Sequence, residues 1–166
     1  SQNFTTATNS YNTAVGYAAG DAITTGVNNT LIGGLAGDAL TDADHNVALG
    51  VQALAVDSLG SRSVAIGAFA LEAQAFTTAT DTYNVAVGYD AGGNITTGIK
   101  NTVIGSLSGD ALTDADFNTV VGMDALSSDT LGSRSTAIGV GALNAQNFTT
   151  ATDSYNVAVG MNAGNV

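Results

Sequence analysis

Glycine recurs along this 166-residue chain at a spacing regular enough to limit the fold to a stack of near-identical coils. The successive spacings are 17, 17, 17 and 21 residues, and the same series then repeats once. The glycines are Gly16, Gly33, Gly50, Gly67, Gly88, Gly105, Gly122, Gly139 and Gly160. A fixed period of this length is typical of solenoids, in which each repeat packs only against its two neighbours.

A longer period of 72 residues lies over the shorter one. Phe4, Phe76 and Phe148 each open the string Phe-Thr-Thr-Ala-Thr. We therefore expect a single domain over residues 1–166, with long repeats at 4–75 and 76–147 and a partial third repeat at 148–166. The two full copies and the partial third also suggest a fragment of a longer fibre.

The segment before each glycine has the composition of a short β-strand. Residues 64–66 (Val-Ala-Ile) and 119–121 (Thr-Val-Val) are rich in β-branched side chains and are bounded by Asn, Ser or Gly. No stretch of ten residues keeps the 3.6-residue apolar period of a helix. The sequence therefore predicts an all-β fold, a parallel β-solenoid of nine turns that stack at about 4.8 Å.

Two neighbouring positions in each strand are apolar, and we assign them to opposite faces. The residue before each glycine is large and aliphatic, and we expect it to fill the interior. These residues are Val15, Ile32, Leu49, Ile66, Val87, Ile104, Val121, Ile138 and Val159. The residue two before each glycine is also apolar, and we expect it to lie in the interface of a homo-oligomer. These residues are Ala14, Leu31, Ala48, Ala65, Ala86, Val103, Val120, Ala137 and Ala158. A monomeric solenoid that exposes an alanine stripe is the alternative.

The strand motifs resemble those of a known group of fibrous proteins. Residues 62–67 (Arg-Ser-Val-Ala-Ile-Gly) and 84–88 (Asn-Val-Ala-Val-Gly) are similar to the Asn-Ser-Val-Ala-Ile-Gly repeats of trimeric autotransporter adhesin heads. Residues 29–33 and 101–105 resemble repeats in phage tail fibres equally well. The likeness spans all nine turns, and it implies a left-handed parallel β-roll that forms a homotrimer through one face.

The charge of the chain excludes some partners. Fourteen acidic and three basic residues give a net charge of −11. We expect no nucleic-acid partner, because phosphate contacts need Lys and Arg. No apolar run approaches the roughly 20 residues that cross a bilayer, so we expect no membrane insertion. The fibre resemblance implies an extracellular location, on a virion tail or a bacterial cell surface.

Aspartates form the densest polar cluster, and it occurs twice. The cluster contains Asp38, Asp42 and Asp44, and its second copy contains Asp110, Asp114 and Asp116. Closely spaced carboxylates suit a hard cation such as Ca²⁺, which is the one cofactor that we consider. Solvated turns at a corner of the coil explain the same residues, because Asp hydrogen-bonds its own backbone in turns.

Aromatic residues gather near the 21-residue turns. We expect Tyr83, Tyr89 and Tyr155 to bind a ligand, because aromatic rings beside Asp and Asn suit the faces and hydroxyls of sugars. Packing of Tyr83 inside the wider turn is the alternative. Arg62 and Arg134 recur in Leu-Gly-Ser-Arg-Ser, and we expect salt bridges to Asp57 and Asp129, or contact with an anion or a sugar.

We interpret the chain as a structural and adhesive fibre module that displays loops to a host-surface glycan or protein. One alternative is an ice-binding solenoid, although only five of the nine residues that lie three before a glycine are Thr. The other alternative is a sugar-cleaving tailspike domain. We expect no enzyme activity, because the acidic residues repeat at turn positions and no nucleophile or phosphate-loop motif is present.

Overall fold

Thirteen short strands form a parallel β-solenoid in the computed structural model, which describes residues 9–165. Phe4 and the start of the first repeat lie outside the described residues. The strands are β1 (Thr13–Val15), β2 (Thr30–Ile32), β3 (Val47–Leu49), β4 (Gly60–Ser61), β5 (Val64–Ile66), β6 (Thr80–Asp81), β7 (Val85–Val87), β8 (Thr102–Ile104), β9 (Thr119–Val121), β10 (Gly132–Ser133), β11 (Thr136–Ile138), β12 (Thr152–Asp153) and β13 (Val157–Val159). Residues 9–165 contain no helix of the length and hydrophobicity that a membrane-spanning segment needs.

Nine of these strands make one parallel sheet in the order β1-β2-β3-β5-β7-β8-β9-β11-β13. Each strand residue pairs with the equivalent residue of the next coil, as Leu31 pairs with Ala14 and Ala48. Backbone hydrogen bonds join the coils outside the sheet as well, for example from the Gly37 N–H to the Ala53 carbonyl at 3.0 Å. The predicted all-β parallel solenoid of about nine turns is confirmed.

The 21-residue turns carry the remaining four strands. β4 pairs with β6, and β10 pairs with β12, each through two residues in parallel register. Residues 77–79 lie exposed before β6 begins, while Phe76 is only 7% exposed. The extra residues therefore leave the coil after a buried phenylalanine and rejoin the hydrogen-bonding pattern at Thr80.

The prediction of which apolar column faces inward is wrong. The residues two before each glycine fill the interior, where Leu31 and Ala65 are fully buried. The proposed interface residues Ala48, Ala86, Val103, Val120, Ala137 and Ala158 are buried there too, and only Ala14, in the first strand, is exposed. The residues immediately before the glycines point outward instead, with Leu49 42% exposed and Val159 67% exposed.

The physical reason is the narrowness of the coil. The other walls of the coil already supply large side chains, such as Leu40 and Ile95, so the strand wall has space for small residues. The largest of these strand residues, Leu31, is faced by a glycine. A Cβ on Gly37 would lie 2.8 Å from a methyl carbon of Leu31, so Leu31 fills the space that this glycine leaves.

The periodic glycine itself is required by contact between coils. Gly33 has a φ of +139°, a conformation that side chains strongly disfavour. A Cβ at this position would lie 2.3 Å from the carbonyl oxygen of Gly50 in the next coil. Glycine therefore repeats because any larger residue would force the coils apart.

A ladder of buried asparagines lies beside the strands. The Oδ1 of Asn84 accepts the backbone N–H of Asn101 at 2.9 Å, and the Oδ1 of Asn101 accepts that of Asn118 at 2.9 Å. The Nδ2 of Asn101 also donates to the carbonyl of Ala115 at 2.7 Å. Each amide thereby satisfies backbone groups that face the interior and would otherwise have no partner.

We expect Asn101→Ala to destabilise the solenoid strongly. The substitution leaves the Asn118 N–H and the Ala115 carbonyl without their partners, at a cost of about 1–3 kcal/mol for each group. Asn147→Ala is the matched control, because Asn147 is exposed and the structure gives it no hydrogen bond. Denaturant midpoints at one protein concentration measure the difference, and equal midpoints for the two variants would contradict the role of the ladder.

Candidate functional site

The six aspartates predicted to bind Ca²⁺ do not converge in the structure. The Oδ1 of Asp42 accepts the hydroxyl of Thr25 at 2.6 Å, and the Oδ1 of Asp44 accepts the backbone N–H of Val27 at 2.7 Å. Asp114 and Asp116 make the equivalent bonds in the second copy. Within the described part of the chain, no three His, Cys, Asp or Glu side chains are grouped as metal ligands. These carboxylates instead hold consecutive turns together.

The remaining two aspartates, Asp38 and Asp110, each have a buried carboxylate oxygen. The Oδ1 atom of each has no hydrogen-bond partner, although part of the side chain reaches the surface. Burial raises the pKa of both carboxyls above the ordinary value of 3.8. The negative charge of Asp21 adds to this for Asp38, and those of Asp90 and Asp124 add to it for Asp110.

The three tyrosines predicted to bind a ligand lie in two separate places. Tyr83 and Tyr155 are 51% and 66% exposed, and each donates its hydroxyl to a neighbouring aspartate, Asp81 at 3.3 Å and Asp153 at 3.4 Å. Tyr89 follows strand β7, whereas Tyr83 and Tyr155 precede strands β7 and β13. Its ring meets Phe69 edge to face, with the ring centres 5.7 Å apart. The structure therefore does not unite the three rings in one pocket.

The salt bridges of the two arginines differ from the prediction. Arg62 pairs with Asp81 at 2.9 Å, and Arg134 pairs with Asp153 at 3.0 Å. These partners lie 19 residues further along the chain, one coil away. The predicted partners, Asp57 and Asp129, are fully buried and accept hydrogen bonds inside the coil.

Asp57 belongs to a buried polar plug at the 21-residue turn. Its carboxylate accepts the backbone N–H groups of Gly60 and Phe76 at 3.1 and 3.0 Å and the amide of Gln74 at 2.5 Å. Gln74 in turn donates to the Ser63 hydroxyl at 2.9 Å. Asp129 and Gln146 repeat the arrangement in the second copy. Because these groups satisfy one another, the plug is structural.

The outer sheet face is an extended uncharged surface of the described chain. We use this name for the outward side chains of the nine-stranded sheet, which lie one and three residues before each glycine. The residues one before the glycine are the aliphatic column named above. The residues three before it are Thr13, Thr30, Val47, Val64, Val85, Thr102, Thr119, Thr136 and Val157. None of these side chains carries a charge.

A second exposed feature escaped the sequence analysis. The residues five before each glycine form one column, which contains all three basic residues and the single histidine of the chain. Each described side chain of this column is exposed. The glycine spacing alone is enough to find it, since counting back five residues from each glycine aligns Arg62, Lys100 and Arg134. Tyr83, Tyr155, Arg62 and Arg134 are selected from the sequence one by one, without being placed in a single column.

We expect Asp110→Asn to stabilise the protein near neutral pH. Because the folded-state pKa of Asp110 is raised, the folded chain binds the proton more tightly than the unfolded chain. The resulting stability is fully present below pH 3.8 and is lost as pH rises through the folded pKa. The variant should therefore gain stability at pH 7 and respond less to acidification than the parent protein.

Denaturant midpoints at pH 7 and just above pH 3.8 measure this effect. Asp114→Asn removes the same charge from an exposed side chain of the same turn, and serves as the control. An equal gain at pH 7 in both variants would mean that general charge repulsion, rather than burial of Asp110, is responsible.

Comparison with protein-family models, curated proteins and solved structures finds no match to this chain. Two surfaces of the solenoid are therefore the basis of the proposed function, the outer sheet face and the column five residues before the glycines.

Proposed function

We propose that the chain is a segment of an extracellular homotrimeric fibre, of the kind found in phage tails or bacterial surface adhesins. The trimer buries the outer sheet face, and the exposed corners of the coil contact a glycan or protein on a host surface. The observation that carries the proposal is the uncharged outer sheet face on a solenoid with few charged residues. The left-handed coil and the threefold assembly come from the resemblance of residues 62–67 and 84–88 to adhesin-head repeats.

The size and chemistry of the outer sheet face favour a protein partner. Its aliphatic column includes Ile32, Ile104 and Ile138, which are 37–38% exposed in the single chain. Nine strands at about 4.8 Å give a face roughly 40 Å long. An apolar surface of this extent on a monomer would promote aggregation. Burial against the same face of other copies removes it from water without requiring a second gene product.

The charge distribution agrees with this assembly. The chain carries a net charge of −11, yet no acidic or basic residue lies in the two columns of the outer sheet face. Three copies that meet through this face would keep their carboxylates at the outward corners. The repulsion between rods then opposes further association and keeps the fibre soluble.

An ice-binding solenoid is the second candidate, because the aliphatic residues beside the threonines lie on the same outward face. The partners of the five threonines, such as Ile104 beside Thr102, point outward rather than into the core. Thr and aliphatic residues thus form a two-column array on a regular sheet. The proposal for a trimer and this candidate compete for the same face, so an assembled trimer cannot use it for ice.

We expect light scattering coupled to size exclusion to give a mass near three times 16.4 kDa. Ile104→Glu should convert the trimer into a folded monomer, because assembly would bury a carboxylate in an apolar contact. Thr78→Glu adds the same group to an exposed position outside the sheet and should leave the trimer intact. A stable monomer of the unmodified chain would overturn the trimer proposal.

Thermal hysteresis measured on the purified protein distinguishes the ice-binding candidate from the trimer proposal. We expect none, because the trimer covers the outer sheet face. Hysteresis that disappears in Thr102→Asp and persists in Thr78→Asp would instead assign this face to ice.

A further inference from the structure

The column five residues before each glycine, named here the corner column, concentrates the side chains that can bind a charged ligand. Its members are Tyr11, Asn28, His45, Arg62, Tyr83, Lys100, Phe117, Arg134 and Tyr155. Every basic residue of the chain and three of its five tyrosines lie in it. A chain with only three cations has thus placed all of them along one line parallel to the axis of the solenoid.

Cations and rings alternate along the column over six consecutive coils. The order is Arg62, Tyr83, Lys100, Phe117, Arg134 and Tyr155. The Nζ of Lys100 lies 4.9 Å from the centre of the Phe117 ring, and the guanidinium carbon of Arg134 lies 4.6 Å from it. Arg134 also lies 5.8 Å from the Tyr155 ring centre. With one coil every 4.8 Å, cations recur about every 9.6 Å and a ring lies between each pair.

The coil itself does not require these residue types. Each member of the column has a positive φ, from 49° at Tyr11 to 66° at Arg62. Asn is the side chain best suited to this conformation, and Asn28 occupies it in one coil. Bulky residues are unfavourable there by about 1 kcal/mol, and their exposure gives no compensating burial. Their exposed salt bridges and cation–π contacts offset part of this cost, but the turn conformation itself does not require Lys, Arg or aromatic residues.

The cations retain capacity for an external ligand. Arg62 and Arg134 use Nε for their salt bridges, while a guanidinium has five N–H donors in total. Within the described residues, Lys100 has no carboxylate at ion-pair distance, and its contact is the face of Phe117. Both arginine side chains are about 40% exposed, so their remaining donors can reach a ligand.

We propose that the corner column binds an acidic linear polysaccharide that lies parallel to the solenoid axis. The rings stack on sugar faces, and Lys100 and the arginines bind carboxylate or sulfate groups carried on every second sugar. The inference rests on the proposed function, of which it names the ligand class and the surface. It adds Lys100 and Phe117 to Tyr83, Tyr155, Arg62 and Arg134, for which the sequence already offers a ligand contact.

The spacing distinguishes this ligand from a denser polyanion. Double-stranded DNA carries one charge about every 1.7 Å along its axis. The corner column offers one cation about every 9.6 Å on a chain with a net charge of −11, which would repel the excess phosphates. A polysaccharide with one anion in each disaccharide places its charges two sugars apart. Its uncharged sugars then lie opposite the interleaved rings.

The test is calorimetric titration of the purified chain with hyaluronan oligosaccharides, in which a uronate alternates with a neutral sugar. We expect saturable binding that weakens as salt is added. The same oligosaccharides with their carboxyl groups reduced to alcohols should bind at least about tenfold more weakly. Chondroitin sulfate oligosaccharides form a parallel arm, and tighter binding in that arm identifies sulfate as the preferred anion.

Two substitutions test the column itself. Lys100→Asn removes a cation and Phe117→Asn removes a ring, and Asn28 shows that the turn accepts asparagine. Each should weaken hyaluronan binding by about tenfold without lowering the unfolding midpoint. Tyr17→Asn removes an 83% exposed ring that lies outside the column, and it should leave the affinity unchanged.

The result that overturns the inference is equal binding by the parent, Lys100→Asn and Phe117→Asn proteins, or no binding by the parent. Equal affinity for the native and the carboxyl-reduced oligosaccharides would also overturn it. Light scattering on the same samples separates this outcome from failure of the proposed function. A trimer that does not bind contradicts only the polysaccharide inference, whereas a monomer that binds contradicts only the trimer.

Discussion

The buried asparagine ladder is the interaction on which the solenoid depends. A coil of 17 residues turns back on itself several times, and its inward N–H and carbonyl groups cannot all pair within a flat sheet. Asn29 shows the solution, since its Oδ1 accepts the N–H of Asn46 at 2.9 Å and its Nδ2 donates to the Ala43 carbonyl at 2.7 Å. These two bonds fix both the rise and the length of the coil, because a shifted residue would leave them unmade inside the protein. The periodic glycine then allows the coils to approach as closely as the ladder demands.

The 72-residue repeat follows from a break in that ladder. Where the fourth asparagine is expected, Ser63 stands instead, and its short hydroxyl cannot bridge two coils in the same way. Gln74 donates to Ser63 at 2.9 Å and accepts from Asn84 at 2.9 Å, so its amide occupies the gap. The buried carboxylate of Asp57 holds Gln74 in place. The longer turn is thus part of the hydrogen-bonding scheme, and Phe76 closes it from the side.

The sequence was sufficient to predict the strands, the number of coils and the parallel stacking, because the glycine period and the β-branched segments are strong local signals. It did not show which face of each strand points inward, since both alternating positions are apolar and the larger side chain of the two is often the exposed one, as Leu49 is beside Ala48. The better guide was Asn29 and its equivalents. They lie four residues before the glycine, so they share the inward face with Ala48 and not with Leu49. The arginine partners were missed for a related reason, because the relevant neighbour lies one coil away rather than a few residues away.

The two proposed surfaces differ in how the fold constrains them. The outer sheet face is tied to strand geometry, so its residues stay β-branched or aliphatic in every coil. The corner column is exposed and tolerates any side chain that accepts a positive φ, so it can vary from one copy to the next. It does so at two of its four positions in the long repeat: Asn28 corresponds to Lys100, and His45 corresponds to Phe117. Only the run from Arg62 to Tyr155 therefore alternates cation and ring without interruption. A ligand that spans several coils gains from each weak contact in turn, so its affinity depends on the length of this unbroken run.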